Sequence, residues 1–427
     1  MKPFNILVFP CGSEVALEIH RSLRYSRHVN LFGANSVPDH GKFVFENYIG
    51  DLPFVSDTEF LPRLKSVVEL LGIDAIYPAM DAVITCLKEN EGYLGCKVIA
   101  SPAETTQICL SKAKTYNALK GIVPIPEVYI SSEEVSEYPV FTKPIIGYGS
   151  RGAKKINCRK ELDIQLEEYP SSMILSYLPG KEYTIDCFTT HRGELLFFGA
   201  RIRQRISNGI SVNTIPTEGK RFEDFARKIN GTLQFQGAWF FQVKEDDAGN
   251  IVLMEIASRM GGSSSLYRNK GINFALLSIF DSFGYPVDVV ENKYDIELDR
   301  ALDNKYRIEI QYDEVYVDFD DCLVVGGKVN LTLIAFIFQC ITKKKKVVLL
   351  TKHKHDIAQS LKSFRIENLF DKVIHIKQED EKHRYITSQS AIFIDDSHAE
   401  RTNVARNIEI PVFSPDMVES LLDNKGI

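Results

Sequence analysis

The chain has 427 residues, of which 44% are hydrophobic and 25% charged, and its formal net charge is −6. This length and composition are typical of a globular protein with two or three hydrophobic cores. The acidic balance argues against general binding to nucleic acid, which usually requires a basic surface. The eight cysteines are scattered, without CxxC pairs or metal-ligand spacing, so we expect a reduced, cytoplasmic protein.

The sequence contains no segment typical of a secretory leader or a membrane span. At the N-terminus, MKPFNILVFP leads directly into an apolar run without the architecture of a signal peptide. The apolar run at residues 331–341 is too short to cross a bilayer and is soon followed by four lysines. We therefore expect a buried helix there and no membrane partner.

The first 100 residues alternate between strand-like and helix-like patterns. These patterns cover strands at residues 5–10, 29–33 and 75–77 and helices at residues 14–25 and 61–71. The alternation predicts a parallel sheet with helices on both faces. Asp81 follows the last of these strands, where open α/β sheets bind their ligands, although a surface-loop carboxylate is the simpler explanation.

From residue 101 the pattern changes to one helix followed by mostly antiparallel strands. The helix pattern covers residues 103–119, includes Ser111 and Lys112, and is ended by the prolines of GIVPIP. Residues 140–156, VFTKPIIGYGSRGAKKI, have the pattern of a hairpin with a glycine-rich loop. Further strand patterns occur at residues 173–178, 195–203, 238–244 and 251–256. We expect a second domain here, built on antiparallel sheet.

The glycine-rich loop has the composition of a phosphate-binding loop. Glycine tolerates positive φ, and successive backbone amides can form a concave donor surface for phosphate oxygens. Lys143 precedes this loop and Arg151 lies within it. An ordinary glycine-rich hairpin explains the stretch equally well. It is neither a P-loop nor a Rossmann fingerprint, because GKS or GKT is absent and no helix pattern follows the glycines.

Residues 112–259 contain every type of group that a nucleoside triphosphate site needs. Such a site requires cations for the phosphates, a polar partner for the ribose and oxygen ligands for magnesium. Lys112 and Lys143 are the candidate cations, and Glu182 can accept from ribose hydroxyls. Gln242 and Glu255, each on a predicted strand, can supply oxygen ligands. Taken singly, each of these residues is more typical of a solvated surface.

The order of these residues resembles the ATP-grasp superfamily, most closely its carbamoyl phosphate synthetase-like members, over residues 1–290. Lys112 before GIVPIP and Lys143 before the glycine loop match the two lysines of the family. The resemblance implies further contacts with ATP from Gly147, Gly149, Ser150, Gly152, Ser176, Leu178 and Glu182. Ser176 stands where a glutamate is frequent, so backbone groups are expected to hold the adenine.

The metal-binding element departs from the family pattern in part. Gln242 fits one metal position, and EIASR, from Glu255 to Arg259, fits an E-x-N-P-R element with two exceptions. Ala257 stands where the family usually has an asparagine that binds metal, and Ser258 replaces the proline. The resemblance therefore implies one well-held Mg²⁺, for which Mn²⁺ could substitute, and a weaker second site.

The resemblance to the ATP-grasp superfamily implies activation of a carboxylate by ATP. The carboxylate attacks the γ-phosphate, and an amine then displaces phosphate from the acyl phosphate. Arg203, Arg205 and Arg259 can hold the substrate carboxylate, and Arg259 is preferred because it lies four residues beyond Glu255. Salt bridges on a strand surface explain Arg203 and Arg205 equally. Residues 207–214 have the pattern of a loop that covers the substrate.

A third pattern begins near residue 295 and is again that of a doubly wound domain. It predicts strands at residues 307–311, 315–317, 347–350 and 391–394 and a helix at residues 329–341. Polar residues follow the strand ends, where such folds place their sites. They are Asp318, Asp320, Thr351, Asp395 and Asp396.

These strand-end residues resemble the motifs of the haloacid dehalogenase-like (HAD) phosphohydrolases, over residues 305–427. The resemblance implies Asp318 as nucleophile, Asp320 as general acid and base, and Thr351 as a phosphate-binding hydroxyl. Lys382 would neutralise the phosphate, with Lys377 as its rival. The implied Mg²⁺ ligands are Asp318, Asp320, Asp395 and Asp396. A single predicted helix between the first two motifs leaves no room for a large cap domain, and a vestigial domain retained for packing is the alternative.

The sequence thus predicts a multidomain α/β and α+β protein. We expect a Rossmann-like pre-ATP-grasp domain at residues 1–100, an ATP-grasp domain at 101–298 and a HAD-like domain without a large cap at 299–427. The expected function is a carboxylate-amine ligase fused to a Mg²⁺-dependent phosphatase that acts on the ligase's substrate or product. Its partners would be a small carboxylate, an amine and a phosphoester, with a homodimer implied by resemblance. The alternatives are a carbamoyl-phosphate-synthetase-like enzyme and a nucleotide sensor or scaffold without turnover.

Overall fold

The computed structural model describes residues 2–147, 151–207 and 209–423. The chain forms two compact units, Met1–Leu302 and Asp303–Ile427. The finer domain boundaries predicted at residues 100 and 298 remain predictions. Within the described residues, no helix combines the length and apolar character needed to cross a membrane.

The first unit begins with the predicted parallel sheet of five strands, in the order β3-β2-β1-β4-β5. The strands are β1 (Phe4–Phe9), β2 (Val29–Ala34), β3 (Asn47–Ile49), β4 (Ala75–Pro78) and β5 (Lys97–Val98). The helices are α1 (Glu14–Leu23), α2 (Gly41–Val44), α3 (Phe60–Leu71), α4 (Asp81–Glu89) and α5 (Glu91–Leu94). Ile6, Leu7 and Val8 of β1 are completely buried because helices cover both faces of the central strand.

The helix predicted at residues 103–119 is two helices, α6 (Ala103–Leu110) and α7 (Lys112–Leu119). Ser111 separates them with an extended backbone, and its hydroxyl accepts a hydrogen bond from the Lys114 amide at 3.4 Å. Serine competes for helix backbone groups in this way and is therefore favoured at a helix start. The break makes Lys112 the first residue of α7.

A four-stranded antiparallel sheet follows, in the order β6-β9-β7-β8. Its elements are β6 (Val128–Tyr129), β7 (Val140–Pro144), β8 (Lys154–Ile156), helix α8 (Arg159–Glu168) and β9 (Ser172–Ser176). A short 3₁₀ helix covers Ser132–Glu134. The predicted hairpin is confirmed, since Val140 pairs with Ile156 and Thr142 with Lys154.

The largest sheet has six antiparallel strands in the order β14-β13-β10-β11-β12-β15. They are β10 (Glu182–Thr189), β11 (Leu195–Ser207), β12 (Ile210–Thr217), β13 (Gly237–Glu245), β14 (Ile251–Ala257) and β15 (Leu298–Asp299). The accompanying helices are α9 (Glu223–Thr232), α10 (Ser265–Asn269), α11 (Phe274–Ser282) and a 3₁₀ turn at Lys220–Phe222.

The loop predicted at residues 207–214 is wrong, because most of this segment belongs to β12. The backbone of β12 pairs with β11, with Ser207 opposite Ile210 and Arg203 opposite Thr214. Gly209 has a φ of +76°, as a tight hairpin turn requires. The polar residues that suggested a loop therefore lie on a twisted hairpin.

The second unit contains a parallel five-stranded sheet in the order β20-β19-β16-β21-β22. Its strands are β16 (Glu314–Val317), β19 (Lys346–Thr351), β20 (Lys372–His375), β21 (Ala391–Ile394) and β22 (Val412–Phe413). A small hairpin of β17 (Val324–Val325) and β18 (Lys328–Val329) lies outside this sheet. The helices are α12 (Leu331–Thr342), α13 (Ile357–Ser363) and α14 (His398–Ile408), with 3₁₀ turns at Glu367–Leu369, Lys382–Tyr385 and Pro415–Leu421.

Two predictions for the second unit have different outcomes. The helix predicted at residues 329–341 is present as α12, which buries Leu333, Phe336 and Ile337 in the core. The strand predicted at residues 307–311 is wrong, because no strand of the described chain pairs with it. Its alternating apolar pattern belongs to an irregular segment in which Ile308 is exposed.

Candidate functional site

A cavity of about 320 Å³ in the first unit brings together most of the predicted ATP-site residues. The predicted residues that line it are Lys112, Lys143, Gly147, Arg151, Ser176, Leu178, Glu182, Arg203, Gln242, Glu255 and Arg259. They come from both antiparallel sheets and from helix α7. Asp81, at the start of α4, also lines the cavity. The parallel sheet therefore contributes a carboxylate to the same space.

Four predicted residues are not among those that line the cavity. Gly149 and Ser150 lie outside the described residues. Gly152 has a φ of +70°, and a Cβ there would approach the Tyr169 ring to 2.8 Å, so this glycine serves close packing. Arg205 is 60% exposed and forms an ion pair with Asp299 at 2.7 Å. Its guanidinium therefore belongs to the surface.

Lys143 is the most buried cation of the cavity. Its Nζ donates hydrogen bonds to the Tyr116 hydroxyl and to the Met254 carbonyl, each at 2.7 Å. Burial lowers the pKa of Lys143 to about 8, although the charge of Glu255 opposes the shift. Both hydrogen-bond partners are neutral, so the ammonium has charge available for an anionic ligand. No sequence pattern pointed to Tyr116, which is one of the buried residues of α7.

Lys112 joins α7 to the glycine loop. Its Nζ donates to the Gly147 carbonyl at 3.2 Å, and its backbone amide donates to the Ile145 carbonyl at 3.0 Å. The charge of Lys112 also contributes to the lowered pKa of Lys143. The two lysines therefore face one region, as two cations that share a polyphosphate would.

Neighbouring strands of the large sheet place the polar residues of the opposite wall. Gln242 on β13 is the register partner of Glu255 on β14. Arg203 on β11 contacts the carboxylate of Glu182 and donates to Gln242 Oε1 at 3.0 Å. It also donates to the Gly209 carbonyl at 2.6 Å. Arg203 therefore ties the hairpin turn to the cavity wall.

The oxygen donors of Gln242 and Glu255 fit Mg²⁺ when a nucleotide is present. Mg²⁺ is usually held by one or two carboxylates together with substrate phosphates. Glu255 supplies the carboxylate, and Gln242 supplies an amide oxygen on the adjacent strand. Ala257 adds no side-chain ligand. The residues thus fit one ion better than two.

The end of the cavity near β9 is built from backbone and apolar groups. The Ser176 hydroxyl accepts from the Glu127 amide at 3.1 Å, so this side chain is used within the sheet. Leu175, Tyr177 and Leu178 also line the cavity. This arrangement favours recognition of a flat heterocycle by stacking and by backbone groups.

Arg259 forms a two-pronged ion pair with Asp81. Its Nε and Nη2 donate to the two carboxylate oxygens at 2.9 and 3.0 Å, and its Nη1 donates to the Met260 carbonyl at 3.3 Å. Burial alone would lower the pKa of Arg259, but the charge of Asp81 raises it. The Phe240 ring lies 5.4 Å from the guanidinium carbon. The guanidinium is therefore held in one orientation at the cavity wall.

A second site lies at the carboxyl ends of the strands of the second unit. Carboxylate oxygens of Asp318, Asp395 and Asp396 lie within 4.8 Å of one another. Lys382 Nζ lies 2.9 Å from Asp318 Oδ1 and 2.6 Å from Asp395 Oδ2. Three carboxylates that converge in this way have the donor chemistry that Mg²⁺ prefers.

Burial and neighbouring charges shift the pKa values of Lys382, Asp395 and Asp396. Burial alone would lower the pKa of Lys382, but Asp318 and Asp395 raise it. Burial raises the pKa of Asp395, and Lys382 opposes that shift. Burial and the charge of Asp318 also raise the pKa of Asp396. An added divalent cation would favour the charged forms of Asp395 and Asp396.

Thr351, Asp320 and Lys377 have different environments around the acidic cluster. Thr351 is completely buried, and its hydroxyl has no hydrogen-bond partner within the part of the chain that the structure describes. Asp320 is exposed and is not one of the clustered carboxylates; it contacts His353 Nδ1 at 2.8 Å. Lys377 is exposed and does not line the cavity around the cluster. Lys382 therefore has the better geometry for a phosphate cation.

His353 is a residue of this site that the sequence did not indicate. Its Nδ1 contacts Asp320, and its Nε2 lies 2.9 Å from the Ser360 hydroxyl. Phe319 packs edge-on against the imidazole at 4.8 Å. The run KHKH directly after β19 consists of two lysines and two histidines beyond Thr351, a signal that could have drawn attention to this loop. The contacts fix the orientation of the Asp320 side chain.

Comparison with known proteins relates the chain to ATP-grasp enzymes. Residues 168–302 match the family described as "ATP-grasp in the biosynthetic pathway with Ter operon". D-alanine–D-alanine ligase from Thermotoga petrophila is 30% identical over 142 residues, which are 30% of this chain and 46% of the relative. The vancomycin/teicoplanin A-type resistance protein VanA from Enterococcus faecium is 26% identical over 46% of this chain and 66% of the relative. The chain spans about half the length of the D-alanine–D-alanine ligases it matches.

Solved structures show the same fold at low identity. L-amino acid ligase from Bacillus licheniformis has a TM-score of 0.54 and 17% identity, covering 68% of this chain and 76% of that one. N5-carboxyaminoimidazole synthetase from Staphylococcus aureus has a TM-score of 0.55 and 17% identity, covering 68% and 80%. ATP-grasp ligases use ATP and Mg²⁺. About two thirds of the chain therefore has an ATP-grasp-like fold, and part of it is similar in sequence to ATP-grasp ligases.

Proposed function

We propose that the first unit ligates a carboxylate to an amine at the expense of ATP, through an acyl phosphate. The observation that carries this proposal is the cavity in which Lys112, Lys143 and Arg259 face Gln242 and Glu255. The same cavity thus has cations for a polyphosphate, oxygen ligands for a metal and an arginine for a carboxylate. This combination serves phosphoryl transfer to a carboxylate better than simple nucleotide storage.

The ATP would lie with its adenine against Leu178 and its ribose at Glu182. Lys143 and Lys112 would hold the phosphates, together with backbone amides of the loop around Gly147. Lys143 is already tied by the Tyr116 hydroxyl and the Met254 carbonyl, so little side-chain entropy is lost on binding. The protein thus contributes a preformed cationic surface.

Gln242 and Glu255 would hold Mg²⁺ beside the phosphates. When bound, the ion supplies positive charge that neutralises the phosphate oxygens during transfer. Arg203 donates to Gln242 Oε1 and contacts Glu182, which keeps both side chains in place. The chain itself therefore orients the oxygen ligands before the ion arrives.

Bond changes in the reaction need no nucleophile from the protein. A substrate carboxylate oxygen forms a bond to the γ-phosphorus as the bond to ADP breaks. An amine then attacks the acyl carbon, phosphate leaves with the bonding electrons, and the amine loses a proton. Arg259 would hold the carboxylate in line with the phosphate, and positioning accounts for most of the rate enhancement.

Hydroxylamine trapping tests this function directly. Protein, Mg²⁺-ATP, hydroxylamine and a panel of carboxylic acids should yield a hydroxamate and ADP, and Lys143→Met should abolish both. Lys228→Met is the matched control, because Lys228 lies on the surface of α9 in an ion pair with Asp224. Formation of AMP in place of ADP would contradict the acyl-phosphate mechanism. ADP release that requires bicarbonate would instead support the carbamoyl-phosphate-synthetase-like alternative, and binding of ATP without turnover would support a sensor.

We also propose that the second unit is a Mg²⁺-dependent phosphatase of the HAD type. This proposal is supported by the three clustered carboxylates, by Lys382 between two of them and by the buried hydroxyl of Thr351, which has no hydrogen-bond partner among the described residues. Asp318 would attack the phosphorus, and Asp320 would protonate the departing alcohol and then activate water. Its substrate would be the ligase's own substrate or product.

Phosphatase activity can be assayed in the full chain with para-nitrophenyl phosphate and Mg²⁺. Asp318→Asn should abolish release of nitrophenol, whereas Asp313→Asn should not, because Asp313 is an exposed residue paired with Lys345. Mg²⁺ should raise the melting temperature of the wild type but not that of Asp396→Asn. No hydrolysis and no Mg²⁺-dependent stabilisation would favour a domain retained for packing.

A further inference from the structure

We propose that His353 is a positioning residue of the phosphatase site, which holds the carboxyl group of Asp320 where it can protonate a departing alcohol. This role rests on the phosphatase function proposed above, and it extends that function to esters of aliphatic alcohols. The side chain of Asp320 is 52% exposed, whereas that of His353 is 9% exposed. A solvent-exposed carboxylate is therefore hydrogen-bonded to an imidazole that the fold holds in place.

The backbone on either side of Asp320 is fixed. The Val324 amide donates to the Phe319 carbonyl at 2.9 Å, and Asp320 forms a β-bridge with Val324. Asp321 has a φ of +51°, which turns the chain directly after Asp320. The side-chain torsions are therefore the freedom that Asp320 retains, and an exposed side chain ordinarily samples several rotamers. An acid that must meet a substrate oxygen needs one of these rotamers to be selected.

The hydrogen bond from His353 selects the rotamer of Asp320. Its Nδ1 lies 2.9 Å from Asp320 Oδ1 and 2.8 Å from Oδ2. Among the described residues, His353 is the only hydrogen-bond partner of this carboxylate. Because an ionised carboxylate can only accept, Nδ1 carries the proton, and the partners thus assign the tautomer. His353 Nε2 is then the acceptor for the Ser360 hydroxyl, 2.9 Å away.

The imidazole of His353 is anchored from several elements. Ser360 belongs to α13, and the Phe319 ring packs edge-on against the imidazole at 4.8 Å. The backbone carbonyl of His353 accepts from Nε2 of His375, the last residue of β20, at 2.6 Å. The ring therefore does not follow the movements of Asp320, and the carboxylate must adopt the position that the ring dictates.

This arrangement serves Asp320 both as an acid and as a base. Asp320 lines a cavity of about 450 Å³ together with Asp318, Thr351 and Lys382. In a protonated carboxyl group, one oxygen accepts from His353 Nδ1 and the other carries the proton toward the ester oxygen. After the transfer, the carboxylate keeps the same hydrogen bond. His353 stays neutral throughout and acts only through Asp320.

Both chemical steps depend on the position of Asp320. An oxygen of Asp318 forms a bond to phosphorus, and the electron pair of the breaking ester bond goes to the alcohol oxygen, which takes the proton of Asp320. Water then attacks the phosphorus and gives a proton to Asp320, and the bonding electrons return to Asp318. The first step needs the acid most when the alcohol is a poor leaving group. Aliphatic alcohols are poor leaving groups, whereas nitrophenol departs readily as an anion.

The dependence on the leaving group tests the role of His353 in the full chain. His353→Leu should lower kcat/KM for glycerol 1-phosphate by roughly 10- to 100-fold, but that for para-nitrophenyl phosphate by less than about threefold. These values report the steps up to release of the alcohol. Slow hydrolysis of the aspartyl phosphate should also produce a burst of nitrophenol equal to the enzyme concentration. Inhibition by inorganic phosphate should be unchanged, because Lys382 and Thr351 are intact.

Further variants separate positioning from a structural role. His353→Asn keeps a donor near the place of Nδ1 and should restore most of the activity on glycerol 1-phosphate. Ser360→Ala removes one anchor and should cost about two- to fivefold, which provides a milder test if His353→Leu folds poorly. In the Asp320→Asn background, His353→Leu should have no further effect on this ester. His355→Leu is the matched control, because the His355 ring also packs against His353 but forms no hydrogen bond with Asp320.

The outcomes for positioning and for the phosphatase function differ. Equal losses of kcat/KM for the two esters would overturn the role of His353 and leave the phosphatase function intact. The same conclusion follows if His353→Asn is no better than His353→Leu, or if His353→Leu causes its full loss in the Asp320→Asn background. Absence of hydrolysis of both esters by the wild type would contradict the phosphatase function itself, and with it the role of His353.

Discussion

Each unit buries one lysine at its candidate site, and the two lysines have opposite surroundings. Lys143 is 7% exposed and donates to a tyrosine hydroxyl and a backbone carbonyl, both neutral. Lys382 is 2% exposed and lies between the carboxylates of Asp318 and Asp395. Burial opposes the ammonium form in both places, and the pKa falls for Lys143 but rises for Lys382. The partners, rather than the depth of burial, decide the direction in which the pKa shifts.

The difference suggests different roles for the two charges: that of Lys143 is available to a ligand, whereas that of Lys382 stabilises the folded second unit. The charge of Lys143 is not compensated by its direct hydrogen-bond partners, so an anionic ligand would relieve its cost of burial. Lys382 already compensates two buried acids, so its removal leaves them without a counter-charge. We therefore expect mutations of the two lysines to affect different properties.

The largest expected effect is that of Lys382→Met on folding. Removing one partner of a buried ion pair usually costs about 3–5 kcal/mol, because the remaining charge is left in a poorly solvating environment. Denaturant unfolding of the full chain should show this loss in the transition of the second unit. Lys377→Met, on the exposed rival lysine, should change the free energy of unfolding by less than about 0.5 kcal/mol. Equal effects of the two mutations would contradict the assigned role of Lys382.

The next effect is that of Lys143→Met on nucleotide binding. Loss of a charge-assisted hydrogen bond to phosphate should cost about 1.5–3 kcal/mol, or roughly 10- to 100-fold in Kd for ADP or ATP. Isothermal titration calorimetry measures this loss, and stability should change much less than in Lys382→Met. An unchanged Kd would mean that Lys143 does not contact the phosphates.

The pH dependence of nucleotide binding sharpens the comparison. Because the pKa of Lys143 is lowered to about 8, its ammonium form is present at pH 7 and is lost as the pH rises through 8. Affinity for ATP should therefore weaken above pH 8, by up to about tenfold per pH unit, with uptake of a proton on binding. Calorimetry at pH 8.5 in buffers of different ionisation enthalpy detects that proton. Lys143→Met should show neither the weakening nor the proton.

The smallest expected effect is that of Tyr116→Phe. The hydroxyl of Tyr116 accepts from Lys143 and donates to the Met254 carbonyl at 2.8 Å. Its removal should cost about 1 kcal/mol of stability and weaken ATP binding by less than Lys143→Met does, since the lysine keeps its bond to Met254. Tyr77→Phe is a suitable control, because Tyr77 is a buried tyrosine of the parallel sheet and contacts the Met260 sulfur. A loss of affinity as large as that of Lys143→Met would indicate that Tyr116 touches the nucleotide itself.

Strands with a clear apolar pattern, and the polar residues that follow them, could be predicted from the sequence. The apolar run NILVF predicts the buried β1, and the acids after β16 and β21 meet because parallel strands end at one edge of a sheet. The break at Ser111 was missed, since the apolar spacing continues across it. Residues 307–311 were assigned to a strand by their alternation, but a strand also needs a neighbour, which local sequence does not specify.

Pairings between distant residues could not be predicted. Arg259 and Asp81 are separated by 178 positions, and His353 and Asp320 by 33. Each pair depends on how sheets and helices pack, and a charged residue on its own is more typical of a solvated surface. The residue types of the site were therefore accessible from the sequence, but the partners that set their charges were not.

The short strand β15 has a practical consequence for dissecting the protein. Leu298 and Asp299 pair with Thr214 and Asn213 at the margin of the largest sheet, only a few residues before the first unit ends. A recombinant fragment that stops before residue 298 would make β12 an edge strand with unpaired backbone N–H and C=O groups. Unpaired edge strands promote self-association. A fragment that ends at residue 302 retains this protective strand. Truncations should therefore be designed to include it, so that aggregation is not mistaken for loss of function.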